Sequence, residues 1–239
     1  MKTFRNKIHA IAENDSYLTE ETLKRDNLIL LFCLSFFIFI PPFLEFPELN
    51  NLIFDILISL LIVTGITSLK FRKEKLLRLS YFGLFTLTLI WVNFFIDLPI
   101  TKLVTFVVLI LFLIYITYSM ISNVARNEKI TPILVLNAIN SYLLIGIIGS
   151  FLFILSNIGY QLIFDISNGT INFGYTNDPI YFDYIYFGFI TLTTVGYGDV
   201  IPAIPLTRSL AMLVSLSGQL YLAILVAMLV GKFLSKSKK

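Results

Sequence analysis

The sequence predicts an all-α membrane protein with six transmembrane helices and one shorter, re-entrant helix. Three observations predict it. Of the 239 residues 57% are apolar and only 14% charged, with 23 phenylalanines and a mean hydropathy of +0.85, more apolar surface than a soluble fold can hide. The charges cluster between apolar runs, as they do in multi-spanning proteins. Finally, the stretch TLTTVGYGDV, residues 191–200, places two glycines, a tyrosine and a carboxylate at the end of a short apolar segment. That composition suits exposing backbone better than packing side chains. The net charge of +3 is too small to point to nucleic acid, and the basic residues lie beside apolar runs instead, which points to membrane lipids. The single cysteine, Cys33, can form no internal disulfide. No clustered set of His, Cys or carboxylate residues favours an enzyme, and no cofactor is expected.

Taken in order, residues 1–27 are a polar N-terminal segment without the features of a cleaved signal. Phe4, Ile8, Ile11 and Ala12 share a helical face ringed by Lys2, Arg5 and Lys7. An interfacial helix and a solvated tail both fit. His9 is read as a solvated residue, with pH sensing as the alternative.

Six runs approach the roughly 20 apolar residues a crossing needs: Leu28–Leu44, Leu52–Leu69, Leu76–Ile96, Ile100–Ile121, Ile133–Leu155 and Leu206–Leu234. Pro41-Pro42 ends or breaks the first. Cys33, inside it, is read as packing. With six spans both termini share a side with the loops KFRKEKLLR (70–78) and SNVARNEKIT (122–131). Of the 18 Lys and Arg residues, only Lys102 and Arg208 then fall on the other side. The shared side is therefore expected to be cytoplasmic, in the cell membrane. The first four spans make one unit, 28–125, and residues 132–235 a second.

Between the fifth and sixth spans, Ile180–Thr193 is apolar but too short to cross. It reads as a re-entrant helix, tolerated only against protein or a water-filled pathway. Asp178-Pro179 supplies an N-cap acceptor and a first-turn proline, and the helix C-terminus, at depth, favours a cation. If alternate residues of the following loop take left- and right-handed angles, every carbonyl points one way. Gly196 and Gly198 make this accessible, and the Thr194 hydroxyl adds a further oxygen. One row of oxygens cannot replace an ion's hydration shell, but four rows around an axis can, which implies a C4 homotetramer: the chain and three further copies.

Thr193–Asp199 (TTVGYGD) resembles the signature of tetrameric potassium channels without a mismatch, and the resemblance covers the outer helix, pore helix and inner helix, about residues 132–235. It implies a selectivity filter lined by Thr194, Val195, Gly196, Tyr197 and Gly198, with potassium held at Thr194 to Tyr197 and Asp199 at the outer mouth. It also implies a hinge at Gly218, for which close helix packing is the alternative. The run SGQLYLAILVAMLVG is similar to bacterial members. Many members carry paired tryptophans where this chain has Tyr186-Phe187; Tyr186 can still offer its hydroxyl to Asp199 as filter support. Some place a carboxylate behind the filter, where this chain has Ile190. Val226, Val230 and Leu234 form a stripe on the last helix, read either as a hydrophobic gate or as packing.

Six spans suggest a voltage-gated channel, whose fourth helix carries repeated basic residues because each charge moved is worth roughly 2.3 kcal/mol per 100 mV. Here ITKLVTFVVLILFLIYITYSMISNVAR has Lys102 at one end, Arg126 at the other, and nothing charged between. Steep voltage dependence is not expected. Asp55 and Asp97 are read as snorkelling to the outer interface, with a countercharge role of the kind found in sensor domains as the alternative; Lys102 is a candidate partner for either. Asn168-Gly169-Thr170 forms a sequon of little weight. The last apolar run ends in FLSKSKK, so any gate is expected in the membrane unit or a separate regulatory partner that the sequence leaves unknown. The expected function is passive, potassium-selective conduction. The alternatives are a voltage-gated potassium channel, a non-selective cation channel, and a potassium-translocating transporter subunit, whose relatives carry four pore repeats where this chain has one.

Overall fold

The computed structural model describes residues 2–39, 49–69, 73–96, 98–127, 130–164, 169–176 and 178–236. Within these residues, side chains of 2–19, 73, 235 and 236 are not described. The elements, in chain order, are α1 (Lys2–Phe39), α2 (Asn50–Thr67), α3 (Lys73–Phe95), α4 (Pro99–Arg126), α5 (Pro132–Phe164), β1 (Ile171–Phe173), α6 (Tyr181–Leu192), β2 (Val200–Pro202) and α7 (Pro205–Lys236). Among the described residues five helices, α2, α3, α4, α5 and α7, are long and apolar enough to cross a bilayer.

The first expected span departs from that pattern. α1 runs unbroken through the expected boundary at Asn27, where nothing in LTEETLKRDN interrupts a helix. Its apolar part, Leu28–Phe39, is about 18 Å of helix against a hydrocarbon core of about 30 Å. The remainder of that run, with Pro41-Pro42, lies outside the described residues, as do Asp97 and Asn168. The side chains of Phe4, Ile8, His9, Ile11 and Ala12 lie outside them too.

α5 is the hub, packed against α1, α4, α6 and α7. It also outruns its expected end at Leu155. The Ser156 hydroxyl donates to the Phe153 carbonyl (2.7 Å), and Asn157 Oδ1 accepts the Thr170 N–H (3.1 Å). With its polar residues satisfied, the helix continues to Phe164.

An aromatic cluster joins the first four helices to α6. Tyr181 and Phe182 open α6, and their rings meet Phe54 of α2 at 4.5 and 5.8 Å; Phe106 of α4 and Phe151 of α5 lie 5.6 Å apart beside them. The Phe54–Phe182 and Phe106–Phe151 pairs are edge-to-face, a geometry that adds to packing beyond the area buried. At the other end, buried Asn27 of α1 donates to the carbonyls of Leu23 and Ser68, both at 2.9 Å, and Asn140 of α5 donates to the Asn27 carbonyl at 3.0 Å. Interhelical hydrogen bonds of this kind bind helices where apolar burial does not discriminate. Cys33 is buried in the core, in line with a packing role.

Among the described residues, the one addition to an otherwise helical fold is the antiparallel pair β1–β2, with Phe173 opposite Val200 and Ile171 opposite Pro202. It clasps the segment entering α6 to the segment leaving the 193–199 loop. Three-residue strands are too short for the alternation that reveals strands in sequence.

Candidate functional site

The site is the loop Thr193–Asp199, carried by α6 and flanked by α5 and α7. α6 is 12 residues, about 18 Å. It begins two residues later than the expected Asp178-Pro179 start. Ile180, in extended conformation, is the N-cap, and its N–H donates to Asp183 Oδ2 at 2.8 Å. Asp183 thus supplies from the first turn the acceptor expected of Asp178, and its other oxygen takes the Tyr175 hydroxyl at 3.0 Å. Asp178 instead uses its own N–H on Thr176 Oγ1 at 3.1 Å, because Pro179 holds the residue before it out of the helical region.

α6 is set close to its neighbours by small residues. A side chain at Gly188 would overlap Ser150 of α5, and one at Gly218 would overlap the Leu192 carbonyl at the end of α6. The close-packing explanation of Gly218 therefore has a specific partner. α7 is continuous through it.

Beyond Leu192 the backbone alternates. Thr194, Gly196 and Gly198 have φ of 60, 51 and 86° and are the positive-φ residues described. The hydrogen bonds set the consequence. The Thr194 N–H donates to the Thr191 carbonyl at 3.0 Å, and those of Val195 and Gly196 both donate to the Ile190 carbonyl, at 3.0 and 3.2 Å. In a trans peptide the N–H and the preceding C=O point in opposite directions. Each N–H turned back to α6 therefore turns a carbonyl away from it: Thr193, Thr194 and Val195 in succession. The Ile190 main chain organises the loop although its side chain is apolar.

The far end is held by Asp199. Its Oδ2 accepts the Tyr186 hydroxyl at 2.6 Å, and its carbonyl accepts the Gly174 N–H at 3.1 Å. This hydrogen bond, then burial and the carboxylate's charge, push the Tyr186 phenol up to about 12, so it stays a donor. From β2 onward, the Ala203 N–H and the Thr207 hydroxyl both donate to the Thr170 carbonyl, at 3.0 and 2.9 Å. Thr170 is fully buried, which gives the threonine of the sequon a packing role.

All seven residues Thr193–Asp199 are exposed within the chain, Tyr197 to 75%. The structure thus brings Thr194–Gly198, Tyr186 and Asp199 into one site and leaves the carbonyl row open. Val226, Val230 and Leu234 lie apart from it on α7 and are also exposed. Their neighbours Leu225, Met228 and Leu229 pack instead on Val124, Leu134 and Ala138. Packing within the chain therefore does not explain the stripe.

Asp55 and Lys102 share a cavity of about 290 Å³ among α2, α3, α4 and Tyr181, with Asn93 and Thr105 also lining it.

Two residues escaped sequence reasoning. Gln219 Nε2 donates to Thr194 Oγ1 at 3.2 Å, and Lys232 Nζ donates to the Val124 carbonyl near the end of α4 at 2.5 Å. The only signal for the first was a lone amide side chain in an apolar run.

Residues 141–235 match the family model described as ion channel. Searches of the curated proteins and of the solved structures each gave no match. The matched region contains most of α5, all of α6, the alternating loop and nearly all of α7. Residues 141–235, set among apolar helices long enough to cross a bilayer, are thus similar to the ion channel family.

Proposed function

We propose that the protein is a potassium-selective channel that conducts ions passively through a carbonyl filter at Thr194, Val195, Gly196, Tyr197 and Gly198. One observation carries this reading. Positive φ recurs at Thr194, Gly196 and Gly198 while successive N–H groups turn back to α6, the backbone required to present several carbonyls to one ion. Replacing a hydration shell takes such rows from several sides, and the bare loop and α7 favour four copies about a fourfold axis.

In this reading Asp199, held by Tyr186, faces the outer mouth and concentrates cations there. The distribution of Lys and Arg along the sequence supports both termini lying on the cytoplasmic side of the cell membrane. The exposed stripe Val226, Val230 and Leu234 is the proposed gate, and Gly218 combines close packing with the proposed hinge. The uncharged middle of α4 argues against steep voltage dependence.

The test is ion flux from liposomes containing the purified protein. Potassium-loaded vesicles are expected to lose potassium and take up a tracer cation, sodium-loaded vesicles to do so far more slowly, and crosslinking to stop at four copies. Equal fluxes for the two ions, or a dimer as the largest crosslinked species, would refute the reading.

A further inference from the structure

We infer that Gln219 tunes the innermost cation site by holding the Thr194 hydroxyl. The inference rests on the filter reading above and adds a residue outside the signature.

Gln219 and Thr194 are brought together by packing one residue away. Gly218 lets α7 approach the Leu192 carbonyl where α6 ends, and the next residue on α7 then reaches the first positive-φ residue of the loop. Its amide Nε2 donates to Thr194 Oγ1 at 3.2 Å. Leu216 and Leu220 on either side of it are 61 and 58% exposed within the chain, and the Ser217 hydroxyl between them donates to the Leu213 carbonyl of its own helix. A polar amide on such a helix is costly unless it finds partners, and here the partner belongs to the loop.

The chemistry has a definite sign. A threonine hydroxyl has one proton to give and two lone pairs. The Gln219 N–H occupies one lone pair, fixes the hydroxyl's orientation, and brings the positive end of an amide dipole beside the oxygen. A cation at the Thr194 ring therefore meets fewer available lone pairs and a weaker field. Gln219 loosens binding at the innermost site without touching the carbonyls of Val195 to Gly198. Reversing the polarity reverses the effect: in Gln219→Glu the side chain accepts the Thr194 proton, turning the hydroxyl lone pairs and a negative charge toward the ion.

The experiment is block by barium, a divalent ion close to potassium in radius, applied from the side of the α7 C-terminus to purified channels in a planar bilayer. Gln219→Met keeps the length but removes the donor. It is expected to tighten the block about 2- to 10-fold, the equivalent of one hydrogen bond. Gln219→Glu is expected to tighten it further. Should Gln219→Met fail to assemble, the Gln219→Glu comparison carries the test. Unchanged block in the variants, or weaker block in Gln219→Glu, overturns the inference while wild-type selectivity keeps the filter reading intact. A wild-type reversal potential at zero is a separate outcome: it removes the selective filter, and the role of Gln219 with it.

Discussion

α5 and α7 are near-equals in sequence and opposites in structure. Both reach a mean hydropathy of 2.1 over their most apolar windows, yet 61% of that window is buried in α5 and 11% in α7. α5 spends its surface on four neighbouring helices; α7 touches α5, α6 and β2, reaches the Val124 carbonyl of α4 through Lys232, and leaves most of the rest bare. The comparison teaches that hydropathy locates a helix in the membrane without saying what covers it. Here the uncovered helix lies beside the uncovered loop. Changes along α5 should therefore act on folding, and changes at the loop and the bare face of α7 on conduction.

The largest effect should come from Gly196→Ala. The left-handed conformation at φ 51° costs an alanine roughly 1–2 kcal/mol, repeated in each copy. Potassium selectivity should be lost while the yield of assembled protein stays near wild type, measured as flux against a gel-filtration profile. Retained selectivity would break the distinction between loop and scaffold. Phe151→Ala on α5 is the counterpart. Phe151 is fully buried, and truncation of such a side chain removes about 3–5 kcal/mol. The expected result is a lowered Tm and less assembled protein, with unaltered ion selectivity in the protein that survives.

Tyr186→Phe sits between the two regions. It deletes the 2.6 Å bond to Asp199, worth about 1 kcal/mol, and leaves the fold intact. Currents should decline faster during sustained conduction, and raising external potassium should slow that decline. The smallest effect is expected for Lys232→Met, which removes the tie from α7 to the Val124 carbonyl. Open probability should change several-fold in single-channel records without any change in unitary current. A changed unitary current would move Lys232 from gating to permeation.

The helices and the loop were legible in the sequence for different reasons. Long apolar runs announce α2, α4, α5 and α7 because a bilayer demands length. The loop was legible because glycine and threonine at alternate positions anticipate the alternation seen at 194, 196 and 198. Tertiary compensation hid the rest. Ile180 replaced Asp178 as the N-cap, its N–H held by Asp183, and α5 ran past Leu155 because Ser156 and Asn157 found partners. The contacts of Gln219 and Lys232 span sequence separations of 25 and 108 residues, beyond the reach of periodicity or propensity. Ile190 shows the same limit at close range. Its side chain suggested a missing interaction, whereas its carbonyl makes two.

The most direct measurement is the reversal potential of the purified channel in a planar bilayer with potassium on one side and sodium on the other. A value near the potassium equilibrium potential, lost in Gly196→Ala, is what a row of carbonyls at Thr194–Gly198 predicts. A wild-type value near zero would contradict it, because the alternating backbone would then hold ions without distinguishing them.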